Sequence, residues 1–165
     1  MLESIRIGLA AFAIAALSAA STSAFSPPEG PVLLTVEGLA DVQGPVAFDR
    51  ALLEALPAVE LKTATIWTDG EQVFTGVELA VLLAHLGVEG GTLRAIAIND
   101  YSVDIPVADA VPGGPIIAYL QNGAPMSVRD RGPLWIIYPY DASAAYRTEA
   151  IYARSIWQLS RIELE

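Results

Sequence analysis

The chain has 165 residues, 53% of them hydrophobic, and carries 19 Asp plus Glu against 9 Lys plus Arg, a formal charge of -10. That length suits one domain, and an acidic chain with no two adjacent basic residues repels a phosphate backbone, so nucleic acid is not an expected partner. Cysteine is absent, which removes disulfides, thiolate metal ligands and a thiol nucleophile, and a single histidine, His85, and a single lysine, Lys62, leave little for acid/base chemistry.

Residues 8–20 form an almost unbroken run of Leu, Ala, Ile and Phe between Arg6 and the small residues Thr22-Ser23-Ala24. The run is shorter than the roughly 20 residues a spanning helix needs, so residues 1–24 read as a secretory signal peptide and residues 25–165 as an exported, periplasmic domain. Residues 32–36 are a short apolar strand stopped by Glu37-Gly38. Ala51, Leu52, Ala55 and Leu56 share a helical face within residues 49–56, ended by Pro57. Residues 59–67 alternate with a period of two and read as a strand, turning at Thr68-Asp69-Gly70.

Phe74-Thr75-Gly76 then leads into residues 77–86, where Leu79, Leu82, Leu83 and Leu86 recur at helical spacing before Gly87. Residues 93–98 and 103–105 read as strands around an Asn99-Asp100-Tyr101 corner. Residues 116–120 form a strand entering the hairpin dipeptide Asn122-Gly123. Residues 129–133 are a polar loop, and residues 134–138 a buried strand. Residues 157–164 alternate with a phase slip at Ser160, which predicts a bulged closing strand. About eight short strands with two or three helices predict a single α+β domain of mixed sheets.

These motifs stand in a telling order: Phe74-Thr75-Gly76 with its Leu helix, Asn99-Asp100-Tyr101-Ser102 running to Pro106, Asn122-Gly123-Ala124-Pro125-Met126, Arg131-Gly132-Pro133-Leu134 before Trp135, and a final Trp157-Gln158-Leu159. In this order they resemble the molybdopterin-binding domain of the sulfite oxidase family, over nearly all of residues 25–165. Enzymes of that family hold molybdenum through a cysteine about ten residues before the Phe-Thr-Gly position, which here falls among Thr63, Ala64 and Thr65. Without a thiolate, the resemblance is to a branch of small, cysteine-free, exported members that includes pterin-binding proteins. It implies a non-catalytic domain with no metal ligands, whose cofactor is a pterin, with molybdopterin as the alternative. It also implies a membrane-bound cyclic-di-GMP enzyme as partner. A molybdopterin-dependent oxidoreductase and a pure protein-interaction domain are the competing functions.

A pterin offers a flat ring that suits an aromatic or guanidinium platform, and an amino-pyrimidinone edge that suits a carboxylate. The candidate residues are Trp67, Asn99, Asp100, Tyr101, Arg129, Asp130, Arg131 and Trp135. Each has a plainer alternative: Trp67 and Trp135 as core, Asp100 as a turn residue, and the Arg129-Asp130-Arg131 run as a solvated ion-pair loop. Trp157 reads as core and His85 as structural.

Overall fold

Alternation is the first thing the backbone realises. In β1 (Leu34–Glu37), Leu34 and Val36 are buried while Thr35 and Glu37 are only partly so, and in β2 (Val46–Phe48) Val46 and Phe48 face inward. The computed structural model describes residues 25–165, and the expected signal peptide lies outside the described residues. Asp49 closes the step from β2 into α1 (Arg50–Glu54): Oδ1 accepts the Leu52 N–H at 2.9 Å, and Oδ2 accepts those of Gly30 and Glu29 at 2.7 and 2.9 Å. One carboxylate therefore caps a helix and ties down the segment leading into β1.

Strand β3 (Ala58–Ala64) keeps the period of two, with Glu60 and Lys62 out and Thr63 buried. It stops at Ala64, short of Trp67. The next element corrects the sequence reading: residues 71–78 form β4 (Glu71–Glu78), and α2 (Leu79–His85) starts only after Glu78. Phe74-Thr75-Gly76 thus lies inside a strand flanked on both sides, by β3 and by β7 (Ile116–Gln121). The Leu periodicity is real, since Leu79, Leu82 and Leu83 are buried and Gly87 follows with φ 72°, but the β-branched Val73, Thr75 and Val77 are held by ladder partners that no local signal reveals.

Two five-stranded sheets share one core. In the first, β2 pairs with β1, β1 runs parallel to β10 (Leu159–Leu164), and β10 pairs with β5 (Thr92–Ala97), which pairs with β6 (Ser102–Pro106). The second runs β3, β4, β7, with β8 (Ala124–Pro125) and β9 (Trp135–Ile137) both paired to β7. The expected bulge is present, as the β10–β5 register shifts between Leu159 and Arg161. Beyond the expected elements, β2, β8 and a helix α3 (Glu149–Arg154) capped by Thr148 appear. The chain is an α+β domain of mixed sheets with few short helices, as the sequence predicts.

Residues 156–159 join the sheets. Ile156 O accepts from Ile136 N–H at 2.9 Å, Leu159 N–H donates to Leu134 O at 3.0 Å, and Trp135 and Trp157 bridge. Near the same junction, Asp141 accepts from Ala64 N–H at 2.7 Å and from the Thr63 hydroxyl at 3.0 Å.

Those bonds set an acid response. The Leu52 and Gly30 N–H groups hold the Asp49 carboxyl below its ordinary value, and the Ala64 N–H and Thr63 hydroxyl do the same for Asp141. The folded chain therefore binds fewer protons than the unfolded one near the ordinary Asp value of about 3.9. The contribution is complete above that pH and is lost as pH falls through the depressed folded values. Urea unfolding from pH 6 down to pH 2 should show midpoints falling below about pH 4, and less steeply in Asp49→Asn and Asp141→Asn than in the parent.

Candidate functional site

Between β3 and β4 the chain leaves the sheet for a turn in which Thr65 Oγ1 lies 2.8 Å from Thr68 Oγ1 and accepts the Trp67 N–H at 3.1 Å. This turn carries Trp67 into the middle of an aromatic cluster. Its ring stands edge-on to Trp135, Trp157, Tyr140 and Tyr152, with centroids 5.8, 5.7, 6.4 and 5.9 Å away. Edge-to-face pairs are each worth about 0.5–1.5 kcal/mol beyond the area they bury, so the cluster is self-supporting.

Beneath it lies a rigid polar floor. Trp135, fully buried and packed on Phe74, donates its Nε1–H to Ser155 O at 3.1 Å. The Tyr140 hydroxyl donates to Ser155 Oγ at 2.6 Å, and the Ser155 hydroxyl donates in turn to Ile151 O at 2.8 Å. Burial, partly offset by the Ser155 hydrogen bond, pushes the Tyr140 phenol up to about 12, so it remains a donor at any physiological pH. The C-terminal end of helix α3 is held a second time: Arg154 Nη1 and the Tyr138 hydroxyl both donate to Asp109 Oδ2, at 2.9 and 2.8 Å. Burial first, and the Asp109 carboxylate second, raise the Tyr138 phenol.

Above this floor opens a cleft of about 370 Å³ whose walls are Trp67, Tyr152, Trp157 and Tyr101, with Asn99 at the β5–β6 corner. The volume is that of a small-molecule site, and four aromatic rings with few polar groups make it suited to a flat ring. A second cleft of the same volume, between α2 and the end of β6, is lined largely by small aliphatic groups such as Ala80, Gly91 and Ala108 and has no aromatic ring. The corner is fixed by its own backbone: Asp100 has φ 63°, its N–H donates to Ala97 O at 3.0 Å, and Asn99 Oδ1 accepts the Tyr101 N–H at 3.3 Å.

The fold brings together only part of the expected set. Trp67, Asn99 and Tyr101 line the cleft. Asp100 is exposed at the turn between two of them, in the left-handed conformation that short polar residues tolerate. Arg131 does not itself line the cleft but stands against its wall, its guanidinium 5.4 Å from the Trp135 ring centroid and 5.9 Å from that of Trp157. Trp135 does not face the cleft. It is core, because β9 is covered on both sides. Arg129 and Asp130 are exposed and do not line the cleft, and the Asp130 carboxylate accepts from the Ser127 hydroxyl at 2.7 Å, a local turn contact.

Trp157 corrects the reading in the opposite direction. It is 38% exposed and forms a wall. Tyr152 is the other wall that sequence reasoning missed. Thr148 before Glu149 is the capping signal that could have revealed α3, but the helix is six residues long and buries only Ile151, so no periodicity marks it. His85 is on α2, edge-on to Phe25 and Phe48 and away from the cleft.

No family model and no curated protein matches the sequence. Among solved structures, the fold is like that of a sulfite oxidase-type α+β domain, in accord with the motif order. One similar structure is that of the sulfane dehydrogenase SoxCD from Paracoccus pantotrophus, at 20% identity and TM-score 0.59, over 79% of this chain and 37% of that one. The chain thus spans well under half of its neighbour, and at this identity the likeness is one of fold.

The molybdenum that the motif resemblance implies does not fit the residues present. At the position where a thiolate would stand, Thr63 is buried and its hydroxyl is engaged with Asp141, while Thr65 is engaged with Thr68 and Trp67. A neutral hydroxyl is not the soft charged donor this metal prefers. Among the described residues, no group of three or more His, Asp or Glu is placed to hold a metal.

Proposed function

We propose that the chain is a non-catalytic binding protein for a pterin-type ring, working in the periplasm and presenting the ring to a membrane-bound signalling partner such as a cyclic-di-GMP enzyme. The observation that carries the reading is the cleft walled by Trp67, Tyr101, Tyr152 and Trp157 on a rigid, hydrogen-bonded floor. The rings of Trp67, Tyr152 and Trp157, already locked edge-to-face, leave their free faces to a ligand without reordering, which lowers the entropic cost of binding. Tyr101 and the neighbouring Ile98 are exposed beside the cleft, 55% and 50%, which suits a surface that a second protein could read together with the bound ring.

Quenching of indole fluorescence on titration with a reduced pterin tests this reading. The expected outcome is saturable binding in the micromolar range, about 8 kcal/mol. No quenching up to millimolar ligand would refute it. A companion prediction concerns the metal: protein produced with ample molybdate should carry far less than one equivalent of molybdenum by elemental analysis and show no sulfite oxidation. Stoichiometric molybdenum with turnover would restore the oxidoreductase reading.

A further inference from the structure

We infer that the occupant of the aromatic cleft carries a negatively charged substituent and that Arg131 is the residue that selects it; this rests on the cleft being a site for a flat ring and adds what that ring must bear. The hydrogen-bonding groups of the cleft are unbalanced. None of its lining side chains is charged. Asn99 Oδ1 already accepts the Tyr101 N–H, Ser155 O the Trp135 indole N–H and Ser155 Oγ the Tyr140 hydroxyl, while the Tyr101 and Tyr152 phenols can both donate and accept. The Ser155 hydroxyl donates to Ile151 O, but other donors are free among the described residues. Among the described residues, the indole N–H groups of Trp67 and Trp157 and the amide N–H groups of Asn99 have no protein partner. A cleft offering donors and lacking a carboxylate favours a ligand rim of acceptors.

Arg131 supplies the charge. In a chain of net charge -10, the ion pairs among the described residues use Arg50, Lys62, Arg94, Arg154 and Arg161, and leave Arg129, Arg131 and Arg147 without a carboxylate; Arg129 and Arg147 are exposed, whereas Arg131 is half-buried. Its neighbour Asp130 is turned to Ser127. The guanidinium is held against Trp157, one wall of the cleft. Two backbone outliers hold it there: Arg131 at φ 69° and Gln158 at φ 54°, joined by Gln158 N–H to Arg131 O at 2.9 Å, with Gln158 Nε2 donating to Val128 O at 2.7 Å. Both residues occupy the left-handed region that a Cβ disfavours, and such outliers persist where the surroundings over-determine them. A weakly hydrated planar cation, stacked, unpaired and fixed beside a ring site, matches a carboxylate or phosphate on the ligand rim.

Fluorescence titration at low salt with carboxypterin and with uncharged hydroxymethylpterin, on the parent, Arg131→Gln and Arg131→Lys, tests this. The parent should bind the carboxylate at least about tenfold more tightly, a difference of roughly 1.4 kcal/mol. Arg131→Gln should erase the preference by weakening the carboxylate alone, and Arg131→Lys should restore part of it. Equal affinities in the parent, or a preference surviving in Arg131→Gln, would overturn the proposal. If neither pterin binds, naphthoate against naphthylmethanol separates the two ideas. An anion preference that depends on Arg131 supports this inference while the pterin reading fails, and no such preference overturns both.

Discussion

Replacing Trp157 with alanine should weaken ligand binding by tenfold to about a hundredfold while leaving the fold standing. A ring stacked on an aromatic platform is worth about 1–3 kcal/mol by alanine substitution, and each 1.4 kcal/mol is a factor of ten. Trp157 is the wall whose loss the fold tolerates best. It is 38% exposed, and the backbone around it is pinned by bonds its side chain does not make, from Ile136 N–H to Ile156 O and from Gln158 N–H to Arg131 O. Losing its contacts with Trp67 and Arg131 should cost about 1–2 kcal/mol of stability, below the 3–5 kcal/mol typical of a buried tryptophan. Trp135→Ala supplies the contrast. That ring is fully buried and its Nε1–H satisfies Ser155 O, so its removal should cost the full 3–5 kcal/mol and lower binding only through unfolding. Calorimetric titration beside thermal melts separates the two: a folded Trp157→Ala protein that binds like the parent would place the ligand elsewhere.

The second large effect is on the fold. At Gly76, β4 crosses β7 so closely that an added Cβ would lie 2.1 Å from Ile117 O and 2.7 Å from Ala118 Cα. Both are backbone atoms, so no side chain can swing aside. The strands would have to part where their register already shifts, between Thr75 and Gly76. Gly76→Ala should therefore destabilise the domain by about 3 kcal/mol or more, a large share of the 5–15 kcal/mol a domain possesses. Its melting temperature should fall by roughly 10 °C, or the protein should be insoluble. Gly90→Ala, with nothing within 4 Å of the added atom, should change stability by less than about 0.5 kcal/mol. Equal melting of the two variants would show that β4 and β7 accommodate the extra atom.

Gly76 also marks the boundary of what local sequence decides. Elements whose burial follows one periodicity were legible without neighbours: the alternation through Thr63, the Leu face of α2 with Gly87 behind it, the Asn122-Gly123 turn with both residues at positive φ, and the bulge at Ser160. The order of those elements was enough for the α+β class, because short strands with polar turns and few helices have few ways to bury their apolar faces. The missing cysteine is equally a property of sequence alone, and it decides against a thiolate-held metal without any coordinates.

Tertiary structure decided the rest, and each case has the same cause. Residues 74–78 became strand because β3 and β7 flank them, and ladder partners distant in sequence outweigh a local helical pattern. Trp135 and Trp157 are chemically identical and bridge each other directly, yet one is sealed under Phe74 and the other opens on solvent. That difference depends on which face of a sheet junction each occupies, a fact absent from either residue's neighbourhood. Tyr152 reached the cleft through a helix too short to carry a period, pinned by the Asp109–Arg154 pair 45 residues apart. Sequence determined which residues could stack, donate or carry charge; the convergence of Trp67, Asn99, Tyr101, Tyr152 and Trp157, with Arg131 beside them and without a carboxylate partner among the described residues, came from long-range packing, because a cleft is the space between elements and belongs to none of them.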